Sequence, residues 1–447
     1  MKNTKIYTIV AAVLTIVVSG GGWWFIKTIG EGEKPTIAFS EDIRSIGRQK
    51  VIQITFEDRG RGLRNISVAL TQDNKSHVLG AAAFPQKGAK RKTLNLTVDP
   101  PALKLHDGFA VLSVVAVDFS LRKNKTVIER PLNIDFTSPR IYLLTPTNHI
   151  NTGGACVVAF GLSEPAPVSG IQVNNNFSPG YPGTFAGKPA IIAYFGLPMD
   201  IGETGAGIRL FARDEGGNET SYSLFALIKK KKFRSDKMNL TDNFLNQKMP
   251  DFQPLPPELQ EKSPLETFIY VNGQMRNANE NTIRELCRRS EPRQLWEGAF
   301  LRMKNASPMA LFGDRRTYVY GKKTVGESTH FGVDLASTAN APAEAANNGI
   351  VAFTGALGIY GNTVVIDHGL GIFSVYGHLS AISVKAGQPV KKGDAIGNTG
   401  TTGLAGGDHL HFGMLAGGQF VNPVEWWDPH WIKDNVTDKL AQQQREK

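Results

Sequence analysis

Alternation of apolar and polar positions dominates the first half of the chain. KVIQITFED (50–58), NISVALTQD (65–73), TLNLTVD (93–99) and AVLSVVAVD (110–118) change sides residue by residue, with turn residues between them. A period of two at this spacing predicts the short strands of a β-sandwich. The theme then repeats. AVDFSLRKNKT (116–126) resembles ARDEGGNET (212–220), each reading Ala-x-Asp, a turn, then Asn-x-Thr. Pro35-Thr36-Ile37 likewise matches Pro139-Arg140-Ile141. Two tandem immunoglobulin-like β-sandwich modules are therefore expected, over 35–136 and 137–232.

The pattern changes after Lys232. PDFQPLPPELQ is a proline-rich connector, and Ser263-Pro264-Leu265-Glu266 reads as a capping box with proline at the first helical position. Helical spacing follows at Leu265, Phe268, Ile269 and Asn272, again at Ile283, Leu286 and Cys287, and a third time at Leu295, Ala299, Phe300 and Met303. A short helical linker region is expected over 233–303, placed to cover the groove of the domain it enters. From Phe312 the alternation returns in GNTVVIDHG, GIFSVYGHLS and HLHFGMLAG, dense in the glycine that tight turns require. The final antiparallel-β domain is expected over 304–428 and a C-terminal tail over 429–447. The fold class is mainly β.

One stretch fits neither period. IYTIVAAVLTIVVSGGGWWFI, residues 6–26, is uncharged and long enough to cross ~30 Å of hydrocarbon. Lys2, Lys5 and Lys27 flank it, and Trp23 and Trp24 stand where an interfacial anchor would. A cleaved signal peptide is the alternative, but the apolar run continues past the small residues at 19–21, which favours an uncleaved transmembrane anchor. A single-pass protein of the cell membrane is expected, with its bulk on the periplasmic or extracytoplasmic side.

Charge and cysteine content narrow the classes. The formal charge is +10, which suits anionic polymers or lipid head groups. Helix-turn-helix, zinc-finger and RNP-type patterns are all missing, so nucleic acid is not an expected partner. The KKKK run at 229–232 reads as a solvated linker. Two cysteines far apart, Cys156 and Cys287, make neither a disulfide framework nor a Cys-rich zinc site; pairing in an oxidising compartment and two unpaired thiols are the alternatives.

Candidate chemistry gathers at the C-terminal end. Six of the nine histidines follow residue 329: His330, His368, His378, His409, His411 and His430. Asp334 follows His330 by four, with Gly332 between them to permit a bend, and His409 and His411 share one face of a strand. Three ligands from His and carboxylate plus an open position suit a catalytic zinc, yet two His and one carboxylate also suit non-haem iron. His368 reads as a strand-end residue, with a possible role in orienting the site.

The motifs in order are H-x-x-x-D (His330, Asp334), YGHLS around His378, GNTGTTG at 397–403, H-L-H (His409, His411) and VNPVEWW at 421–427. In this order and spacing they resemble the M23 (lysostaphin/LytM-type) peptidoglycan endopeptidases, over about a third of the chain. The resemblance implies one Zn2+ per chain held by His330, Asp334 and His411, with His378 and His409 as the catalytic pair. It implies peptidoglycan as the substrate and hydrolysis of its peptide cross-links. Asp408 before the H-x-H and Gly413 after Phe412 depart from the common pattern at positions that are not ligands. Degenerate relatives act instead as non-catalytic regulators of other wall hydrolases. Such regulators lack one or more of the five positions, and all five are present here. The sandwich modules, outside the resemblance, would serve as spacers or meet an envelope protein partner.

Overall fold

The computed structural model describes residues 13–22, 32–145, 148–201, 207–254, 256–257 and 260–441. Most of the expected anchor at 6–26 lies outside these residues. Positions 13–22 are helical, and among the described residues no helix is long and apolar enough to cross a membrane. The chain divides into two compact units, one of residues 1–139 with 213–219, the other of 140–212 with 220–447.

In the first unit the alternating stretches form two sheets. Five strands run in the order Ser45–Ile46, Lys125–Ile134, Gly108–Asp118, Leu63–Gln72 and Lys75–Ala83. Three more run Thr36–Phe39, Lys50–Glu57 and Arg91–Val98. Every second residue of Gly108–Asp118 is buried, and Ile54, Phe56, Val68, Leu112 and Val114 form the core. That is a sandwich whose inward faces are the apolar half of the period-two pattern. The repeated Asp/Asn signature has a physical basis. Asn124 Nδ2 donates to Asp118 Oδ2 at 2.9 Å, and Asn218 Nδ2 donates to Asp214 Oδ2 at 2.9 Å. Each pair staples its own turn.

The second unit joins strands and helices around one large core, with a smaller cluster of its own around Phe160, Phe195 and Leu210. Ala155–Leu162 pairs antiparallel with Lys188–Gly196 and with Ile141–Leu143. The largest sheet runs Ser307–Ala310, Val333–Ala336, Leu410–Ala416, Ile372–Leu379, Asn362–Asp367, Gly349–Ala356 and Pro389–Val390, with each neighbouring pair antiparallel. Strands Ile372–Leu379 and Leu410–Ala416 are buried at every position, so both of their faces are covered and alternation vanishes there.

The helical region differs from expectation in two ways. The capping box forms as read, with Ser263 Oγ accepting from Glu266 N and Glu266 reaching back to Ser263 N. The helix does not stop where the first periodic run ends. Pro264–Tyr270 continues through a π-helical turn, Val271–Met275, into Arg276–Leu286. The third helix, expected at 295–303, is not formed; these residues run as turns and extended chain. Trp296 and Phe300 are drawn instead against Trp426, with ring centroids 5.6 and 5.4 Å from it. The burial of two large aromatics outweighs the weak helix preference of a short segment.

Glu425, in the VNPVEWW stretch, ties distant strands to this core. Its Oε1 accepts from Asn151 Nδ2 and its Oε2 from Ala155 N, both at 2.8 Å. A Cβ on Gly154 would stand 2.6 Å from Oε1, so the glycine makes room for the carboxylate. Glu425→Ala leaves a buried N–H without its acceptor and is expected to cost about 1–3 kcal/mol, read as a lowered urea midpoint. An unchanged midpoint would remove Glu425 from the account. Burial raises the Glu425 pKa, more than the hydrogen bonds from Asn151 and Ala155 lower it. The folded state then binds this proton more readily than the unfolded one. The resulting stability is present below the unfolded pKa and declines as pH rises through the folded one. Glu425→Gln should abolish that decline.

Candidate metal centre and active site

Strand register builds the site. Asp334 lies directly opposite His411 in the pairing of Val333–Ala336 with Leu410–Ala416, and Gly377 lies opposite His411 on its other side. His330 precedes the first of these strands. Its backbone is held at both ends, its N–H donating to Asp314 O at 2.9 Å and its carbonyl accepting from Gly313 N at 2.8 Å. Gly332 serves space more than bending: a Cβ there would come within 2.5 Å of the His411 ring.

Three ligand atoms converge. His330 Nε2 is 2.9 Å from Asp334 Oδ1 and 3.0 Å from His411 Nδ1, which is itself 3.0 Å from Asp334 Oδ1. His330 Nδ1 donates to Leu311 O at 3.0 Å, which leaves Nε2 to face the cluster. Burial pulls the His411 imidazole down to about 4, so it is neutral near pH 7. Its Nε2 is buried without a hydrogen-bond partner among the described residues, so its Nδ1 is the nitrogen engaged with the cluster. Burial alone would push the Asp334 carboxyl up, but the imidazoles of His330, His409 and His411 hold it well below the usual carboxylate range. A carboxylate and two imidazoles aimed at one point are a cation's donor set. The residues therefore fit a metal ion.

His378 and His409 stand beside this cluster, their ring centroids 4.7 Å apart. His378 has φ +62 and donates from Nδ1 to Thr402 O at 2.8 Å, so Nε2 is its free nitrogen. Thr402 is presented by the turn of GNTGTTG, where Gly403 has φ +68 and a Cβ would come within 2.3 Å of Gly361 N. His409 donates from Nδ1 to Gly407 O at 2.8 Å, and its Nε2 is 3.6 Å from Asp334 Oδ1. Burial, then the neighbouring imidazoles of His409 and His411, lower the His378 pKa well below its ordinary value. Burial would lower His409 as well, but the nearby carboxylate of Asp334 raises it.

The other histidines stand apart. His368 is fully buried, bonded through Nδ1 to Asn348 O and through Nε2 to Ser374 Oγ, both at 2.7 Å. Neither partner belongs to the cluster, and its role is in the core. His430 is exposed. Asp408 pins its loop by accepting from Asn340 N and Thr399 Oγ1. Both cysteines are buried and free. Sequence reasoning missed three supporting groups. Arg316 Nη2 lies 3.3 Å from Asp334 Oδ2. Asp314 accepts from Leu311 N and from Arg234, which shapes the loop that offers the Leu311 carbonyl to His330. Arg276, from the upstream helix, lines the same cavity as the five. No motif carries any of them.

A buried His/Asp/His cluster with two further imidazoles, set in an antiparallel sheet, is the donor chemistry of metal-dependent hydrolases. Residues 328–423 match the model of Peptidase family M23, and this part of the chain is a domain of that family. Over 95 residues, 21% of this chain and 22% of its relative, it is 43% identical to DD-carboxypeptidase/endopeptidase Mpg of Neisseria meningitidis serogroup B. Over 114 residues, 26% of each chain, it is 37% identical to peptidoglycan DD-endopeptidase ShyA of Vibrio cholerae. Over 107 residues, 24% of this chain and 26% of its relative, it is 33% identical to the murein hydrolase activator EnvC of Escherichia coli. The chain thus spans only about a quarter of the length of these curated relatives.

Proposed function

We propose that the chain is a zinc metalloendopeptidase that hydrolyses peptide cross-links of peptidoglycan. The observation that carries this reading is the convergence of His330, Asp334 and His411 beside a second imidazole pair, His378 and His409. His330 Nε2, Asp334 Oδ1 and His411 Nδ1 would hold the ion. When bound, zinc supplies Lewis acidity, lowering the pKa of a water and polarising a carbonyl. His378 and His409 each keep Nδ1 committed to a backbone carbonyl, which turns Nε2 toward reactants. An imidazole held this way takes a proton when neutral and donates a hydrogen bond to a developing oxyanion when protonated. Arg316 fixes the second oxygen of Asp334, as partners of ligating carboxylates do.

The similarity to the EnvC activator supports a second reading, in which the domain binds and activates other wall hydrolases. Digestion of purified peptidoglycan by the zinc-loaded protein, with mass analysis of the fragments, separates the two. Soluble peptides cut at one bond type support hydrolysis; intact sacculi at full zinc content support the activator.

In this reading residues 6–26 anchor the chain in the inner membrane, and the first sandwich module spaces the catalytic domain from it or meets an envelope protein. Removal of residues 1–30 should then yield a protein that stays soluble without detergent and binds zinc as the full chain does. Retention of the shortened chain in the membrane fraction would count against a single anchor.

A further inference from the structure

The cavity at the site holds about 110 Å³, and besides the five site residues it is lined by two arginines, Arg276 and Arg316. Arg316 faces a carboxylate, Asp334. Arg276 does not. Its Nε and Nη2 donate to Asn272 Oδ1 at 3.3 and 3.1 Å, and Nε also reaches Asn272 O at 3.2 Å. Among the described residues no carboxylate oxygen lies within 4.0 Å of it.

This arrangement is itself supported. Asn272 is buried, 3% exposed, and donates from Nδ2 to Glu327 O at 3.2 Å, so its Oδ1 must turn to the guanidinium. It sits in the π-helical turn, and such turns recur at functional positions. Gly326 lies so close that a Cβ would stand 3.1 Å from Asn272 Nδ2. Glu280, one helical turn beyond Arg276, is also buried; burial pushes its carboxyl up, against the pull of Arg276 and Arg284. A guanidinium steadied by a neutral amide keeps its charge for something else. With a second arginine and the proposed metal site at the same cavity, against the single carboxylate of Asp334, the complement is an anion. On a peptide substrate that anion is a carboxylate, the group a guanidinium fork binds best.

We propose that Arg276 binds a free carboxylate of the substrate beside the scissile bond, so that the site selects anionic stem peptides over neutral bridges. This rests on the peptidase reading for its substrate. It is tested with a synthetic cross-linked peptide bearing a side-chain carboxylate next to the scissile bond, and with the corresponding carboxamide. Zinc-loaded protein is expected to cleave the carboxylate peptide with a KM about 10- to 100-fold below that of the carboxamide. Arg276→Ala should lose that advantage, with kcat and zinc content kept, and show no further loss on the carboxamide. Arg276→Lys, which keeps the charge without the fork, should recover part of it.

Binding of both peptides to the metal-free protein gives a readout independent of catalysis. A preference for the carboxylate that vanishes in Arg276→Ala supports the inference even if neither peptide is cut, and in that case the hydrolase reading alone fails. Equal binding of the two peptides by the wild-type chain overturns it. So does an Arg276→Ala protein that cuts both peptides faster, since the arginine would then cover the groove rather than recognise substrate.

Discussion

Alanine at His411 is expected to leave the protein without its zinc and without activity. The wild-type chain should carry one ion, seen by elemental analysis after dialysis. His411 supplies one of three converging atoms, and its ring fills the space that Gly332 leaves open. Loss of a group that merely supports a ligand costs about 10- to 100-fold in metal affinity, so loss of a ligand should exceed that. His330→Ala should behave alike, because it removes Nε2 from the same point. Both variants should stay folded, since the apolar core of Val333, Leu335, Val375, Phe412 and Met414 does not depend on either ring. Full zinc content in both variants would show that the three atoms do not hold the ion.

Alanine at His409 should have nearly as large an effect on rate with the opposite effect on metal. Its Nε2 lies 3.6 Å from Asp334 Oδ1, next to the ligand cluster but outside the three ligand atoms at about 3 Å. Zinc should therefore remain while kcat falls about 10²- to 10⁴-fold, the usual contribution of a positioned general acid or base. His378 needs a different substitution. Its φ of +62 strains most side chains, so alanine there confounds chemistry with backbone cost. His378→Asn, which tolerates that conformation, isolates the loss of the imidazole and should match His409→Ala in both zinc content and rate. A His409→Ala enzyme working near wild-type speed would withdraw the catalytic role from that residue.

The chemistry of this site was legible in the sequence because its parts are local. H-x-x-x-D places His330 four residues before Asp334, where a short strand begins. H-x-H puts His409 and His411 on one side of the chain by the two-residue period of a strand. The alternating runs of the first unit were equally legible, since each buries one face. What surrounds the site was not. Arg276 reaches the cavity from a helix that precedes the peptidase match, and Glu425 meets Asn151 across 274 residues of sequence. Such pairings depend on how sheets and helices pack, and no local pattern encodes them.

The missing third helix makes the same point from the other side. Leu295, Ala299, Phe300 and Met303 have helical spacing, but Trp296, which breaks the stripe, is buried against Trp426 and Phe300. Helical periodicity is a wager on which face will be covered, and here long-range burial of aromatic rings outweighed it. Sequence by itself brought out the candidate ligand residues and the second imidazole pair, through the order and spacing of the motifs, and the period-two strands, because side-chain alternation acts over a few residues. Tertiary structure alone decided which arginine faces the cavity, which carbonyl orients His330 and which buried carboxylate ties the core together, because each depends on surfaces brought together from far along the chain.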